Sequence, residues 1–124
     1  GLNGFPIVRG IGDKNALNYA IEVIKRGEVL CIFPEGTRSP DGTPKEAKSG
    51  VGYIARRTGV DIIPTAIYME DKDRKGSKVI VKFGEAFKYA DMGFTDNGKT
   101  SENKVVARKT MDMIKTLWEE CKCR

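Results

Sequence analysis

The sequence predicts an α/β fold: a largely parallel sheet with flanking helices. Three observations predict it. Segments of strand character alternate with segments of helical periodicity. The run EVLCIF at 28–33 is apolar on both faces, as in a strand covered on both sides. Two turn-rich segments, RGIGD at 9–13 and PEGTRSPDG at 34–42, each follow a strand directly. In such sheets ligands bind beyond the carboxyl ends of the strands, so the two segments are expected to converge on one edge.

The elements follow in the order β-α-β-loop-α-β-β-α. GFPIVRG, at 4–10, reads as a short strand running into a turn. DKNALNYAIEVIKRG then sets Ala16, Leu17, Ala20, Ile21 and Ile24 at helical spacing, with Asp13 as cap and Gly27 after Lys25 and Arg26 at the end. EVLCIF is the second strand, with Cys31 read as a small buried residue. Residues 34–48 show no periodicity, and a connection of about 12–15 structureless residues in a compact domain is usually functional. SGVGYIARRTG is a short helix closed by Gly59 and weakened by Gly52. DIIPTAIYM and KVIVKFG are two further strands joined by a charged turn. SENKVVARKTMDMIKTLWEEC is a capped amphipathic helix with Val105, Met111, Ile114, Leu117 and Trp118 on one face.

The chain of 124 residues is long enough for a single domain, 1–124, and too short for two. Its 40% apolar and 31% charged residues are those of an ordinary globular protein. No stretch approaches the roughly 20 apolar residues of a membrane span. The net charge of +5, from 22 basic against 17 acidic residues, favours anionic partners: phosphorylated metabolites, acidic lipid surfaces or nucleic acid. No RNA-recognition signature, zinc-finger spacing or basic helical region appears, so nucleic acid is not expected. Three cysteines argue against a disulfide framework, and Cys121 with Cys123 forms a lone C-x-C at a frayed end. With no histidine and no second cysteine pair, a metal site is not expected.

The first strand-end loop places Gly10 and Gly12 between a strand and a helix. A dinucleotide fingerprint needs Gly or Ala at 15, where this chain has Asn15. A flexible strand-to-helix turn accounts for both glycines without a nucleotide. The second loop holds FPEGTRS. Gly36 allows close backbone approach to a ligand, Thr37 offers a hydroxyl, and Arg38 carries a fixed fork of donors suited to phosphate. Glu35 can orient Arg38 or Arg9, or bond a substrate hydroxyl. A salt-bridged turn would explain an isolated Glu–Arg pair. A cluster at a strand end, in a long loop and opposite Arg9, points instead to an anion pocket.

These residues resemble the glycerolipid acyltransferase family. FPEGTRS is similar to its third sequence block, FPIVRG to the second, DIIPTAI to the fourth, and AKSGVGYIA to the lysine–glycine helix start after the third. Order and spacing agree over about residues 4–70. The resemblance implies a glycerol-3-phosphate acyltransferase-like fold, incomplete at the N-terminus. It implies acyl transfer from acyl-CoA or acyl-carrier protein to lysophosphatidic acid, giving phosphatidic acid, with no other cofactor and at the cytoplasmic face of the membrane. It implies acceptor binding by Arg9, Glu35, Gly36, Thr37 and Arg38, with Lys48 a further candidate. The family's His-x-x-x-x-Asp block, which carries the general base, is absent. The expectation is therefore that residues 1–124 are the C-terminal portion of an acyltransferase domain, holding the acceptor phosphate without the catalytic base. Two other readings stay open: a non-catalytic module for anionic lipids, and a dinucleotide-binding domain.

Overall fold

The structure is a computed structural model that describes residues 7–8, 14–34, 48–70 and 76–123. Strand β1 (Ile7–Val8) leads to helix α1 (Lys14–Lys25), strand β2 (Cys31–Ile32), helix α2 (Gly50–Thr58), strands β3 (Thr65–Met69) and β4 (Val79–Phe83), and helix α3 (Thr100–Lys122). The alternation expected from the sequence is observed, and the fold is α/β.

β1 and β2 are parallel, with Ile7 opposite Cys31 and Val8 opposite Ile32. β3 and β4 form an antiparallel hairpin with Ile67 opposite Val81. The link across 70–78 is shorter than the dozen or so residues a parallel crossover needs, which makes this pairing antiparallel. An antiparallel bridge between Ile62 and Phe87 extends the hairpin, with Phe87 N–H donating to the Ile62 carbonyl at 2.7 Å and the reciprocal bond at 3.0 Å.

α2 is the hub. On one side Ile54 joins Ala20 and Ile21 of α1, with Leu17, Leu30 and Ile32 packed around them. On the other, Ala55 joins Phe87, Met92 and Val106, the last on α3. α2 ends where the sequence indicated: Gly59 adopts φ +71° and its N–H donates to the Ala55 carbonyl at 2.8 Å. A left-handed residue at this position satisfies an orphan carbonyl that a β-carbon would disfavour.

Three expectations are corrected. Cys31 is exposed, not buried. Among the described residues, β2 buries one face only: Leu30 and Ile32 meet the α1–α2 cluster, whereas Val29 and Cys31 alternate to the exposed side. Val105 is 40% exposed, because the buried stripe of α3 runs through Asn103, Val106, Ala107, Thr110 and Met111 and leaves Val105 beside it. Cys121 is buried within α3, which continues as helix to Lys122 and does not fray before it.

The start of α3 also differs from a simple capped helix. Its N-cap position is Lys99, with no side-chain cap bond. Glu102 in the first turn instead reaches back to Thr95, accepting from both its N–H (3.0 Å) and its hydroxyl. Those bonds hold the Glu102 carboxyl below the ordinary glutamate range. Asp61 is likewise lowered, first by the N–H of Tyr89 at 2.8 Å and then by Lys88, whose Nζ lies 3.3 Å away.

Candidate functional site

The parallel pairing of β1 and β2 has a direct consequence: the chain leaves both strands at the same edge. Val8 is the last residue of β1 and pairs with Ile32, two residues before Pro34. The two segments picked out in the sequence, each beginning directly after a strand, therefore start from neighbouring positions. This is the arrangement in which open α/β sheets place their ligands.

The structure shows how the second segment ends. The backbone N–H of Lys48 donates to the carbonyl of Pro34 at 2.9 Å, tying residue 48 to the end of the β2 segment. Ser49 follows as the N-cap position of α2, half-buried and making no side-chain cap bond, and Gly50 begins the helix, buried. A helix start leaves its first N–H groups without intrahelical acceptors and carries a partial positive charge. Loop 34–48 thus opens on a strand end at buried Pro34 and closes on a helix start at buried Gly50.

Of the expected site residues, Lys48 is described: its side chain is exposed and its main chain closes the loop. Arg9, Glu35, Gly36, Thr37 and Arg38 lie outside the described residues, as do Gly10, Gly12 and Asp13. The Pro34–Lys48 bond was not foreseen. The signal available in the sequence is the position of Lys48 directly before the Ser49–Gly50 helix start. Among the described residues, no group of three His, Cys, Asp or Glu side chains could hold a metal ion. A depression of about 440 Å³ lies far along α3, lined by Lys115, Thr116, Glu119, Glu120 and Cys123. Glu120 of its lining pairs with Lys82 of β4, on the hairpin side of the molecule.

A profile described as Acyltransferase matches residues 2–68, the stretch that carries both loops and the β3 segment. The chain belongs to the acyltransferase family.

Among similar proteins, the chloroplastic 1-acyl-sn-glycerol-3-phosphate acyltransferase BAT2 of Brassica napus is 36% identical over 72 residues, 57% of this chain and 21% of its own. The 1-acyl-sn-glycerol-3-phosphate acyltransferase of Bacillus subtilis is 28% identical over 93 residues, 73% of this chain and 46% of its own. Among solved structures, the 1-acyl-sn-glycerophosphate acyltransferase PlsC of Thermotoga maritima aligns with a TM-score of 0.64 and 33% identity, covering 88% of this chain and 45% of PlsC. That coverage reaches beyond the acyltransferase profile and takes in part of the hairpin–α3 half of the molecule. This acyltransferase chain therefore spans less than half the length of each of these relatives.

Proposed function

We propose that this chain forms the acceptor-holding part of an enzyme that acylates 1-acyl-sn-glycerol-3-phosphate to phosphatidic acid, with acyl-CoA or acyl-carrier protein as donor and no other cofactor. The observation that carries the reading is the 33% identity to PlsC, named as a 1-acyl-sn-glycerophosphate acyltransferase, over 88% of this chain. In this reading residues 1–124 act as one domain at the cytoplasmic face of a membrane, where the lipid acceptor and product reside.

The reaction joins the acceptor hydroxyl oxygen to the thioester carbonyl carbon and breaks the carbon–sulfur bond. The hydroxyl proton leaves through a base and ends on the departing thiolate. Three things lower the barrier: a base within hydrogen-bond reach of the hydroxyl, donors for the oxyanion, and an acceptor held in place by its phosphate. The third is the role assigned here. Arg38 and Arg9 bind the phosphate, since a guanidinium fork meets two phosphate oxygens at once. Gly36 and Thr37 shape the loop, Glu35 orients an arginine or bonds the glycerol hydroxyl, and Lys48 adds charge where the loop meets α2. No histidine is present in these 124 residues to serve as the base, so alone they are expected to transfer no acyl group.

Steady-state kinetics of the complete enzyme test the assignment. Arg38→Ala should lower kcat/KM for lysophosphatidic acid by about 1.5–3 kcal/mol, the worth of a hydrogen bond to a charged group. Arg38→Lys should restore little of it. Unchanged kinetics in Arg38→Ala would remove Arg38 from the phosphate site.

A further inference from the structure

Helix α3 carries four basic residues over about 16 Å of its length, Lys104, Arg108 and Lys109 in its first half and Lys115 beyond the midpoint. The first three are exposed and the fourth is half-buried. Some other cations of the molecule are engaged: Arg26 with Glu28, Lys82 with Glu120, Lys88 with Asp61, and Arg57 over the Tyr53 ring. Among the described residues, no carboxylate lies within ion-pair distance of the four on α3. Asp112 is the one acid between Lys104 and Lys115. Lys104 and Arg108 stand at the i, i+4 spacing, where like charges cost helix stability. That pair is therefore not explained by the needs of the helix.

Its position in the fold is specific. Gly52 of α2 meets the backbone of Asn103, and Arg56, one turn later, lies beside Gly98. α2 and α3 therefore run antiparallel, and α3 beyond Asn103 passes the start of α2, where Lys48 closes the 34–48 loop. Lys104 and Arg108 sit on the solvent side of that same stretch.

We propose that the exposed face of the first half of α3 docks the protein on an anionic phospholipid bilayer. Charge complementarity selects the partner, and the shape of the surface narrows it. A convex helix face with exposed Val105 among its cations offers no groove for a protein ligand. It suits a flat surface whose charged headgroups diffuse sideways to meet it. The inference rests on the proposed lipid acylation in one respect: docking here turns the stretch of α3 that passes Lys48 and the start of α2 toward the membrane that holds the acceptor.

The test is co-sedimentation of the full chain with vesicles of phosphatidylcholine plus phosphatidylglycerol, against vesicles of phosphatidylcholine alone. Binding should require the anionic lipid and disappear near 1 M salt, where the screening length is about 3 Å. Lys104→Gln/Arg108→Gln/Lys109→Gln, on exposed positions and with a good helix former, should keep its helical circular dichroism and bind about a hundredfold more weakly, about fivefold per residue. Arg108→Lys should bind as the parent does. Equal binding to both vesicle types, or unchanged binding by the triple variant, overturns the proposal. So does loss of binding on Phe83→Ser in the exposed hairpin face instead, or a triple variant that loses acyl-carrier protein but keeps vesicles. Because the readout involves no acyl transfer, a chain that docks through α3 yet acylates nothing refutes the proposed function alone. One that acylates lysophosphatidic acid but docks independently of α3 refutes this surface alone.

Discussion

Gly52 of α2 lies against the backbone of Asn103 of α3 so closely that a β-carbon on the glycine would come within 2.8 Å of the Asn103 Cα and overlap its carbonyl oxygen. Both residues are buried, and Val106 and Ala107 continue the contact surface of α3 beyond them. In a sequence reading Gly52 weakens the helix, since Gly costs about 1 kcal/mol against Ala in a helix interior. In the fold it is what lets two helices approach to backbone contact.

Gly52→Ala should therefore destabilise the protein by about 1–3 kcal/mol, the usual cost of overpacking, in spite of the better helix propensity of Ala. Thermal unfolding followed by circular dichroism measures it. A higher Tm in the variant would mean that the helices part without cost.

Loop closure at Lys48 separates main-chain from side-chain roles. Lys48→Ala keeps the N–H that donates to Pro34 and should alter stability by less than about 0.5 kcal/mol, as exposed substitutions usually do. Lys48→Pro removes the donor and should cost about 1–2 kcal/mol. If the ammonium also contacts the acceptor phosphate, Lys48→Ala raises KM for lysophosphatidic acid at unchanged stability. Equal urea midpoints for the two variants would deny the Pro34 bond any structural role.

Stability in acid should depend on Glu102 and Asp61, whose folded pKa values both lie below their unfolded ones. The sign follows: each contributes fully above the ordinary carboxylate range, and the contribution is lost as pH falls through the folded value. Glu102→Gln should then lower the urea midpoint at neutral pH, with the gap to the parent closing as the solution is made acid. A gap that stays constant with pH would assign the effect to shape rather than charge.

The outer face of the β3–β4 hairpin presents Ile67, Met69, Val79, Val81 and Phe83, the last 70% exposed. Their register sets Ile67 opposite Val81 and Met69 opposite Val79, so the five make one continuous apolar surface. Patches of this kind drive association. Val81→Thr/Phe83→Lys in the 124-residue chain should reduce self-association in sedimentation velocity while leaving Tm within a few degrees. Unchanged association would place the contact elsewhere.

Much of the fold was legible because it rests on local chemistry. The strand–helix alternation, the Gly59 stop and the limits of α1 and α2 follow from periodicity and from the conformational freedom of one glycine. The family was legible too, since four motifs in order span the stretch that the acyltransferase profile matches. Facing and contact were not. Cys31 and Val105 are apolar residues in apolar runs, and no property of either says that its side of the element is exposed. Gly52 reads as a defect until Asn103 is known to lie across from it. Lys48 reads as a charge until its N–H is seen to close on Pro34. Local sequence sets which segments become strands and helices and which motifs they carry, because those depend on neighbours within a turn or two of chain. Tertiary structure alone decided which faces are covered, how closely α2 meets α3, and where the 34–48 loop is tied, because these contacts join residues far apart in the chain.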